Sequence, residues 1–317
     1  MSGRVAAVVV SYNVRELLLA CVDSLLVVQC LGELDTIVVV DNASRDGSAD
    51  AVRSRYPEVV VLDAPNRGYG SGANVGIGAT GEEYVLILNP DTVVPPGTVV
   101  GLTCELDRNP QVALVGPLLR YPDSSIQPTR RRFPKRLTPL FESTILSEWW
   151  PGNRWARHFH MRDAAVATDQ AQEVDWVVGA AMLVRRAAIE QVGGFDESFR
   201  MYSEEVEWCW RFHQHGWKVV HDPTVEIVHH EGASTSQNVL SRQVAFDTSR
   251  VRLARRMYGD KTAALVRAGL LASYAIQLVR ECVKWMLGHR RGLRRQRVAL
   301  YTRALRTGLR DGHEAPS

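Results

Sequence analysis

The chain has 317 residues, 45% hydrophobic, 23% charged and 8% aromatic, an ordinary globular balance that excludes wholesale disorder, a collagen-like repeat and a disulfide-stapled miniprotein. The net charge of +3 conceals an asymmetry: Arg250 to Arg310 holds 16 Lys and Arg against Asp260 and Glu281, a net of +14, and the rest of the chain nets −11. An acidic body thus carries a basic C-terminal extension, which suits nucleic acid, an anionic membrane or a solvated helix face.

Arg4 to Val10 is a β-branched run and reads as a buried strand. It is not a signal peptide, because it passes straight into Ser-Tyr-Asn and a charged helical pattern. Val14 to Val28 follows with Leu17, Leu18, Cys21 and Leu25 at helical spacing. Next come a strand at Thr36 to Val40, a helix at Ser48 to Tyr56 and a strand at Val59 to Leu62. A Gly-rich loop leads to a short helix around Ala73 to Ala79, and Tyr84 to Leu88 is a fourth strand. Near-continuous apolar strands alternating with helices predict an α/β fold with a mostly parallel sheet covered on both faces. Further strands are expected at Val112 to Val115, Ala180 to Val184 and Lys218 to His221. Pro122 to Ala171, rich in Pro, Arg and Trp, breaks the rhythm and reads as a long excursion, a candidate active-site flap. From Val239 onward the pattern is helical. Its longest uncharged apolar run, Ala268 to Val279, has 12 residues between Arg267 and Arg280. That is short of the ~18 a membrane span needs. The five scattered cysteines form no CxxC pair and read as reduced, buried small hydrophobes.

Ligands of open α/β sheets bind beyond the carboxyl ends of the strands. Three predicted strands end in polar clusters on that edge: Ser11-Tyr12-Asn13, Asp41-Asn42-Ala43-Ser44-Arg45-Asp46-Gly47-Ser48 and Asn89-Pro90-Asp91. Each alone reads as a turn or a helix cap, but turns explain three on one edge poorly. The loop Gly68-Tyr69-Gly70-Ser71-Gly72-Ala73-Asn74-Val75-Gly76 lacks dinucleotide-fingerprint spacing, since its next Gly after Gly72 comes four residues on, and it does not open the first helix.

The ordered set VSYN, VVDNASRDGS, NRGYGSGANVG, ILNPD, DWVVGAAMLVRR, GGFDESF, SEEVEWCWR and HHEGAST resembles the family 2 glycosyltransferases of the GT-A fold. It is most similar to the bacterial rhamnosyltransferase branch acting on polyprenyl-diphospho-N-acetylglucosamine in cell-wall synthesis. The likeness runs from Val5 to Gln237. It implies a GT-A domain over 1–238, with 122–171 as the excursion; the stretch 239–317 beyond it reads, from its own pattern, as helical, basic and membrane-associating.

The resemblance implies a role for each matching residue. Ser11, Tyr12 and Asn13 would line the base and ribose pocket; Asp41 would accept from the pyrimidine N–H or a ribose hydroxyl; Asn42 would shape that loop; Arg67 and Asn74 would lie near the donor. Asn89-Pro90-Asp91 stands where the family has Asp-x-Asp, so Asn89 would face the donor and Asp91 would be the main metal carboxylate. His229, the first His of His-x-x-Gly-x-Ser, would complete the metal site. A divalent metal, Mn²⁺ or Mg²⁺, is the implied cofactor, and an imidazole ligand favours Mn²⁺. The family's Glu-Asp pair maps onto Glu204 and Glu205, with Glu205 as catalytic base one methylene longer than Asp, and Glu204 beside the acceptor. A solvated acidic helix start is the plainer reading of those residues. Asp175, Trp176 and Gly179 would form the acceptor side, with Trp176 either a sugar platform or a core residue.

The activity so implied is inverting, metal-dependent transfer of a sugar to a lipid-linked acceptor. The sugar expected is L-rhamnose from dTDP-L-rhamnose, with galactofuranosyl or hexosyl donors, or a catalytically impaired sugar-binding scaffold, as alternatives. In Ala263 to Leu287, apolar residues at near-helical spacing lead to Trp285, and clustered Arg residues follow it. This is the pattern of a peripheral helix on an anionic leaflet. The expected location is therefore the cytoplasmic face of the cell membrane. No nucleic-acid module is recognisable, and no nucleic-acid partner is expected.

Overall fold

The alternation of β-branched runs with amphipathic helices yields, in the first half of the chain, β1 (Val5–Ser11), α1 (Arg15–Cys30), β2 (Thr36–Asp41), α2 (Ser48–Arg55), β3 (Val60–Asp63), α3 (Tyr69–Gly78), β4 (Tyr84–Leu88), β5 (Thr92–Val93), α4 (Thr98–Arg108), β6 (Val112–Arg120), β7 (Ile126–Gln127) and β8 (Arg130–Arg131). Three short helices follow, α5 (Thr138–Phe141), α6 (Ile145–Trp149) and α7 (Arg154–Phe159). Then come β9 (Gln172–Val174), β10 (Trp176–Val177), β11 (Ala181–Arg185), α8 (Arg186–Val192), α9 (Glu204–Gln214) and β12 (Lys218–His229). The chain ends in α10 (Val239–Tyr258), α11 (Asp260–Met286) and α12 (Arg291–Thr307). This computed structural model describes residues 4–161, 169–231, 239–287 and 290–310.

The chain divides into two units, the first comprising Met1–Phe133, Ala164–Arg200 and Glu204–Ser234, the second Pro134–Asp163, Met201–Ser203 and Thr235–Ser317. The expected excursion therefore splits. Residues 122–133 stay with the sheet, and Pro134–Asp163 groups with the C-terminal helices, so the second unit is more than the 239–317 stretch.

The first unit is built on a sheet of order β3-β2-β1-β4-β11-β6-β12-β5. β1 to β4 are parallel, but β11 runs antiparallel to both β4 and β6, so the sheet is mixed. β12 lies parallel to β6, and β5 pairs with its far end through His229 and Thr92. Period-two alternation separates the faces of β1. Val5, Ala7 and Val9 join a core with Leu18, Cys21 and Leu25 of α1 and Leu102 and Leu106 of α4. Val8 and Val10, on the opposite face, meet α3.

That contact explains why the Gly-rich loop is itself helical, four residues earlier than periodicity predicts. A Cβ on Gly76 would sit 2.3 Å from Val8 Cγ1, and one on Gly72 would sit 2.8 Å from Val10 Cγ1. The glycine stripe lets α3 lie close against β1, and hydrophobic periodicity is silent there because the contact is made by backbone. All five cysteines are free, with Cys21 and Cys209 buried.

In the second unit α10, α11 and α12 share a core of Val244, Val251, Ala254, Ala263, Val266, Leu270, Tyr274, Leu300 and Ala304. Leu140 of α5 packs on that core, and a Cβ on Gly269 of α11 would meet it at 2.5 Å. Arg250 bonds both Asp247 and Glu142, and Tyr274 donates to Asp247 at 2.6 Å. α11 has 27 residues, where sequence reading delimits an apolar run of 12. It is long and apolar enough, by length and composition alone, to cross a membrane. One face is nevertheless buried among its neighbours, and its Glu281 is buried and paired with Arg294.

Candidate active site

β5 and β12 bring Asp91 and His229 together at the sheet edge. His229 Nε2 lies 3.3 Å from Asp91 Oδ1, both side chains are buried, and His230 N–H donates to the Asp91 carbonyl at 2.8 Å. A chain of hydrogen bonds fixes the imidazole. Tyr121 and the Gln127 amide nitrogen each donate to Glu231 Oε2 at 2.8 Å. This turns the Gln127 carbonyl oxygen toward His229 Nδ1, 2.9 Å away. A carbonyl only accepts, so Nδ1 carries a proton and Nε2 is the ring nitrogen turned to Asp91. Asp91 Oδ1 is itself buried and makes no hydrogen bond. Asp91 Oδ1 and His229 Nε2 thus face each other in a buried site. The donor set, one carboxylate and one imidazole, fits a divalent cation. Among the described residues no group of three or more His, Cys, Asp and Glu side chains converges on a metal position. Gly232 and Ser234 of the His-x-x-Gly-x-Ser pattern lie outside the described residues.

At the start of α9, Glu204 is buried and Glu205 half-buried. The chain enters this helix through Tyr202 and Ser203, both left-handed at φ 68° and 67°, conformations that cost energy in non-glycine residues. Burial lifts Glu205 to about 7, against the downward pull of backbone N–H groups and of Arg131. Burial first, and then the charge of Glu205, push Glu204 well above the usual carboxyl range, and its Oε2 makes no hydrogen bond. Glu207 is different: it grips Arg211 at 2.8 and 3.0 Å, and Arg211 ties α9 to the carbonyls of Val192 and Gly194. That acid is structural.

Tyr69 joins the two ends. Its hydroxyl donates to the Gly179 carbonyl at 3.3 Å, and the phenol is pushed up by burial and then by the charges of Glu204, Glu205 and Asp91. A Cβ on Gly179 would lie 3.4 Å from that of Glu205, so Gly179 borders the acid pair as the motif implies. Sequence reading misses Tyr69 and Gln127 as site residues. Tyr69 sits between glycines in a segment read for its glycines, and Gln127 is one polar residue in an irregular segment.

Along the same edge β1 and β2 place Ser11, Asp41 and Asn42, all buried, with Ser11 Oγ, Asp41 Oδ1 and Asn42 Oδ1 making no hydrogen bond. Tyr12 is half-buried beside them and Arg67 is exposed. Asn13 is a strut: its N–H donates to Ser44 Oγ and its Oδ1 accepts from Arg45 N–H at 2.7 Å. Asn89 spends its backbone on the Ala180 carbonyl and the Thr92 hydroxyl.

Three residues expected in the site make hydrogen bonds within the protein. Asn74 uses both ends of its amide on Phe195 N–H and C=O and on Glu197, clamping α3 to the following segment. Asp175 accepts from Phe133 N–H at 2.6 Å and pairs with Arg132. Trp176 is buried and donates its indole N–H to the Arg132 carbonyl. Asp175 and Trp176 thus brace the β8–β10 pair.

Residues 6–193 match the family model described as Glycosyl transferase family 2. The chain is a family 2 glycosyltransferase. The N-acetylglucosaminyl-diphospho-decaprenol L-rhamnosyltransferase of Mycobacterium tuberculosis is 33% identical over 226 residues, covering 68% of this chain and 72% of that protein. The pre-mycofactocin glycosyltransferase of the same organism is 28% identical, over 76% of this chain and 47% of its own length. A second model, Glycosyl transferase family 21, matches residues 156–295 of the glycosyltransferase. In fold it is similar to the mannosyltransferase PcManGT from Pyrobaculum calidifontis in complex with GDP-Man and Mn²⁺, with TM-score 0.52, 16% identity, and coverage of 98% of this chain and 88% of that one. GalNAc-T7 with UDP, GalNAc and Mn²⁺ gives TM-score 0.54 and 14% identity over 80% of this chain and 53% of that one. The mixed sheet and flanking helices are therefore those of the GT-A fold.

Proposed function

We propose that this glycosyltransferase moves L-rhamnose from dTDP-L-rhamnose, with inversion, to a hydroxyl of a lipid-linked acceptor of the polyprenyl-diphospho-GlcNAc type, in cell-wall or surface-polysaccharide synthesis. The observations that carry the chemistry are His229 against Asp91 and the packing of Glu205 on Gly179, whose carbonyl accepts from Tyr69. The sugar and acceptor rest on the likeness to the mycobacterial rhamnosyltransferase.

The acceptor oxygen bonds to the anomeric carbon as the bond to the nucleoside diphosphate breaks, and the diphosphate leaves with the electron pair. Glu205 takes the acceptor proton, and a carboxyl lifted toward neutrality is matched to that task. Glu204, pushed well above the usual carboxyl range by burial, lies on the acceptor side. Asp91 and His229 would hold a divalent cation, preferentially Mn²⁺, whose charge would stabilise the departing diphosphate. Ser11, Asp41 and Asn42 supply buried polar atoms for the base and ribose.

Membrane association of the second unit belongs to the same reading. Support comes from exposed Ile276, Val279, Val283, Trp285, Met286 and Leu287 on α11 and its end, and from exposed Trp149 and Trp150. Glu148, next to Trp149, pairs with Arg280 at 3.0 Å, which sets α6 beside that apolar stretch. Apolar side chains amid a +14 segment suit an anionic lipid surface.

The decisive experiment is a panel of nucleotide sugars with product detection on a polyprenyl-diphospho-GlcNAc acceptor. Transfer from dTDP-L-rhamnose with Mn²⁺, absent in Asp91→Ala, is expected. Turnover of another donor with none of this one would replace the rhamnosyl assignment, and full activity of Asp91→Ala would remove the metal site.

A further inference from the structure

Glycines flank Tyr69 and seat it closely. A Cβ on Gly68 would press on the Arg200 carbonyl, and one on Gly70 would sit 2.9 Å from Phe195 Cβ, so the backbone closes on the segment 195–200 as only glycines allow. The Tyr69 N–H donates to the same Arg200 carbonyl at 3.2 Å, and its ring meets Phe195 edge-on with centroids 6.2 Å apart. We infer that Tyr69 is a positioning residue for sugar transfer: its hydroxyl holds the Gly179 turn against Glu205. The inference rests on the assignment of Glu205 as the base.

Gly179 and Ala180 join β10 to β11, and two other elements hold this turn. Asn89 N–H, in the loop that carries Asp91, donates to the Ala180 carbonyl at 2.9 Å, and the Tyr69 hydroxyl donates to the Gly179 carbonyl at 3.3 Å. A Cβ on Gly179 would stand 3.4, 3.5 and 3.7 Å from Glu205 Cβ, Cγ and Cδ. The turn is therefore one wall of the Glu205 carboxyl, and a glycine backbone shifts readily unless something outside holds it. Packing does not account for the hydroxyl, because Tyr69→Phe would keep the ring contact with Phe195. Burying a phenol O–H has a desolvation cost, and at 3.3 Å its bond is long for O–H···O, so it contributes little to folding. Hydrogen bonds that serve catalysis are often long before substrate binds and tighten afterwards. The ionisable groups that set or feel the charge of Glu205 are Glu204 and Cys209 on its own helix, Arg131 on β8 and Tyr69 itself.

The test compares wild type, Tyr69→Phe, Glu205→Gln and the double variant. Tyr56→Phe is the control, since it removes a hydroxyl bonded to Asp23 of α1 at 2.6 Å. Turnover is read at pH 8, where Glu205 is ionised, with dTDP-L-rhamnose, Mn²⁺ and polyprenyl-diphospho-GlcNAc. Tyr69→Phe should lower kcat on the order of 10-fold with the donor KM unchanged. It should cause no further loss in the Glu205→Gln background, and Tyr56→Phe should match wild type. A second arm needs no turnover. Carboxyl ¹³C NMR of glutamate-labelled protein follows the titration of Glu205, assigned by its loss in Glu205→Gln. Freeing the turn admits water to the carboxyl, so the Tyr69→Phe midpoint should fall below the wild-type value of about 7. Gly179→Ala adds a methyl to the wall and should raise the midpoint; it serves alone if Tyr69→Phe loses its thermal transition, and no movement there would overturn the inference. A wild-type kcat and midpoint in Tyr69→Phe would also overturn it, as would an equal loss of kcat with and without the Glu205 carboxylate. Full turnover of Glu205→Gln would instead remove the base assignment, and the midpoint would then decide whether Tyr69 holds the wall beside Glu205.

Discussion

A carboxylic acid that takes up a proton near neutrality needs surroundings that penalise its charged form, and Glu205 has them. Its value of about 7 lies above that of an exposed carboxyl, so the base is lost by protonation as pH falls through 7 rather than through 4.5. Turnover should therefore show an acidic limb near pH 7, measured as kcat at saturating donor. Glu205→Gln should keep donor binding and cut turnover on the order of 10²–10⁴-fold; loss of turnover in Glu204→Gln alone would exchange the two roles. The stability sign is opposite to that of a salt-bridged acid. Between 4.5 and 7 the folded state holds the Glu205 proton more tightly than the unfolded one, so stability falls as pH rises through this window. Glu205→Gln should accordingly melt higher than wild type at pH 8 and close to it at pH 4. Gln127 acts through His229. Gln127→Leu removes the acceptor that sets the imidazole tautomer and should weaken Mn²⁺ binding about 10–100-fold, read by the EPR signal of free Mn²⁺. An unchanged Mn²⁺ affinity would leave Gln127 a mere packing residue.

Elements were legible wherever the side chains that define them are also the ones that pack. β1, β2 and β4 announce themselves as β-branched runs, and the polar residues that end them, Ser11, Asp41 and Asp91, do lie on one edge. The first turns of α3 were not legible, because Gly72 and Gly76 pack by lacking a side chain. Nor was the reversed direction of β11, since composition carries no strand sense. The hydrogen bonds of Asn74 and Asp175 were not legible either, because their partners Phe195 and Phe133 stand 121 and 42 residues away. The α3 contact is testable at its own scale. Gly76→Ala places a methyl against Val8 and should cost about 1–3 kcal/mol in denaturant unfolding, whereas Gly78→Ala, whose Cβ meets nothing within 4 Å, should stabilise the helix slightly. Equal effects at the two positions would mean that α3 does not need its close approach.

For the whole molecule the relevant variable is ionic strength. Binding to anionic vesicles through the basic second unit should be strong at low salt and fade as the Debye length shrinks from about 30 Å at 0.01 M to about 8 Å at 0.15 M. Trp149→Ser/Trp150→Ser/Trp285→Ser should weaken it at all salt concentrations, since these exposed rings contribute apolar contact rather than charge. Because α10, α11 and α12 share one core, such surface substitutions isolate membrane contact, where truncation would open that core. Salt-dependent binding that ignores the tryptophans would reduce the interaction to electrostatics alone.

The position of β11 between β4 and β6 also governs the order in which a ribosome can deliver a working enzyme. β4 and β6 are made early, but neither can complete its ladder until the residues from Ala181 onward have emerged. During that interval the wholly apolar β4 edge, Tyr84 to Leu88, has pairing partners on one side only. An unpaired apolar edge is a template for joining other chains. Polypeptides released before Ala181 should therefore aggregate, while those reaching beyond His229 close the sheet. Since His229 is the last residue of the last strand, the nascent chain closes its sheet and gains the proposed metal ligand in the same step.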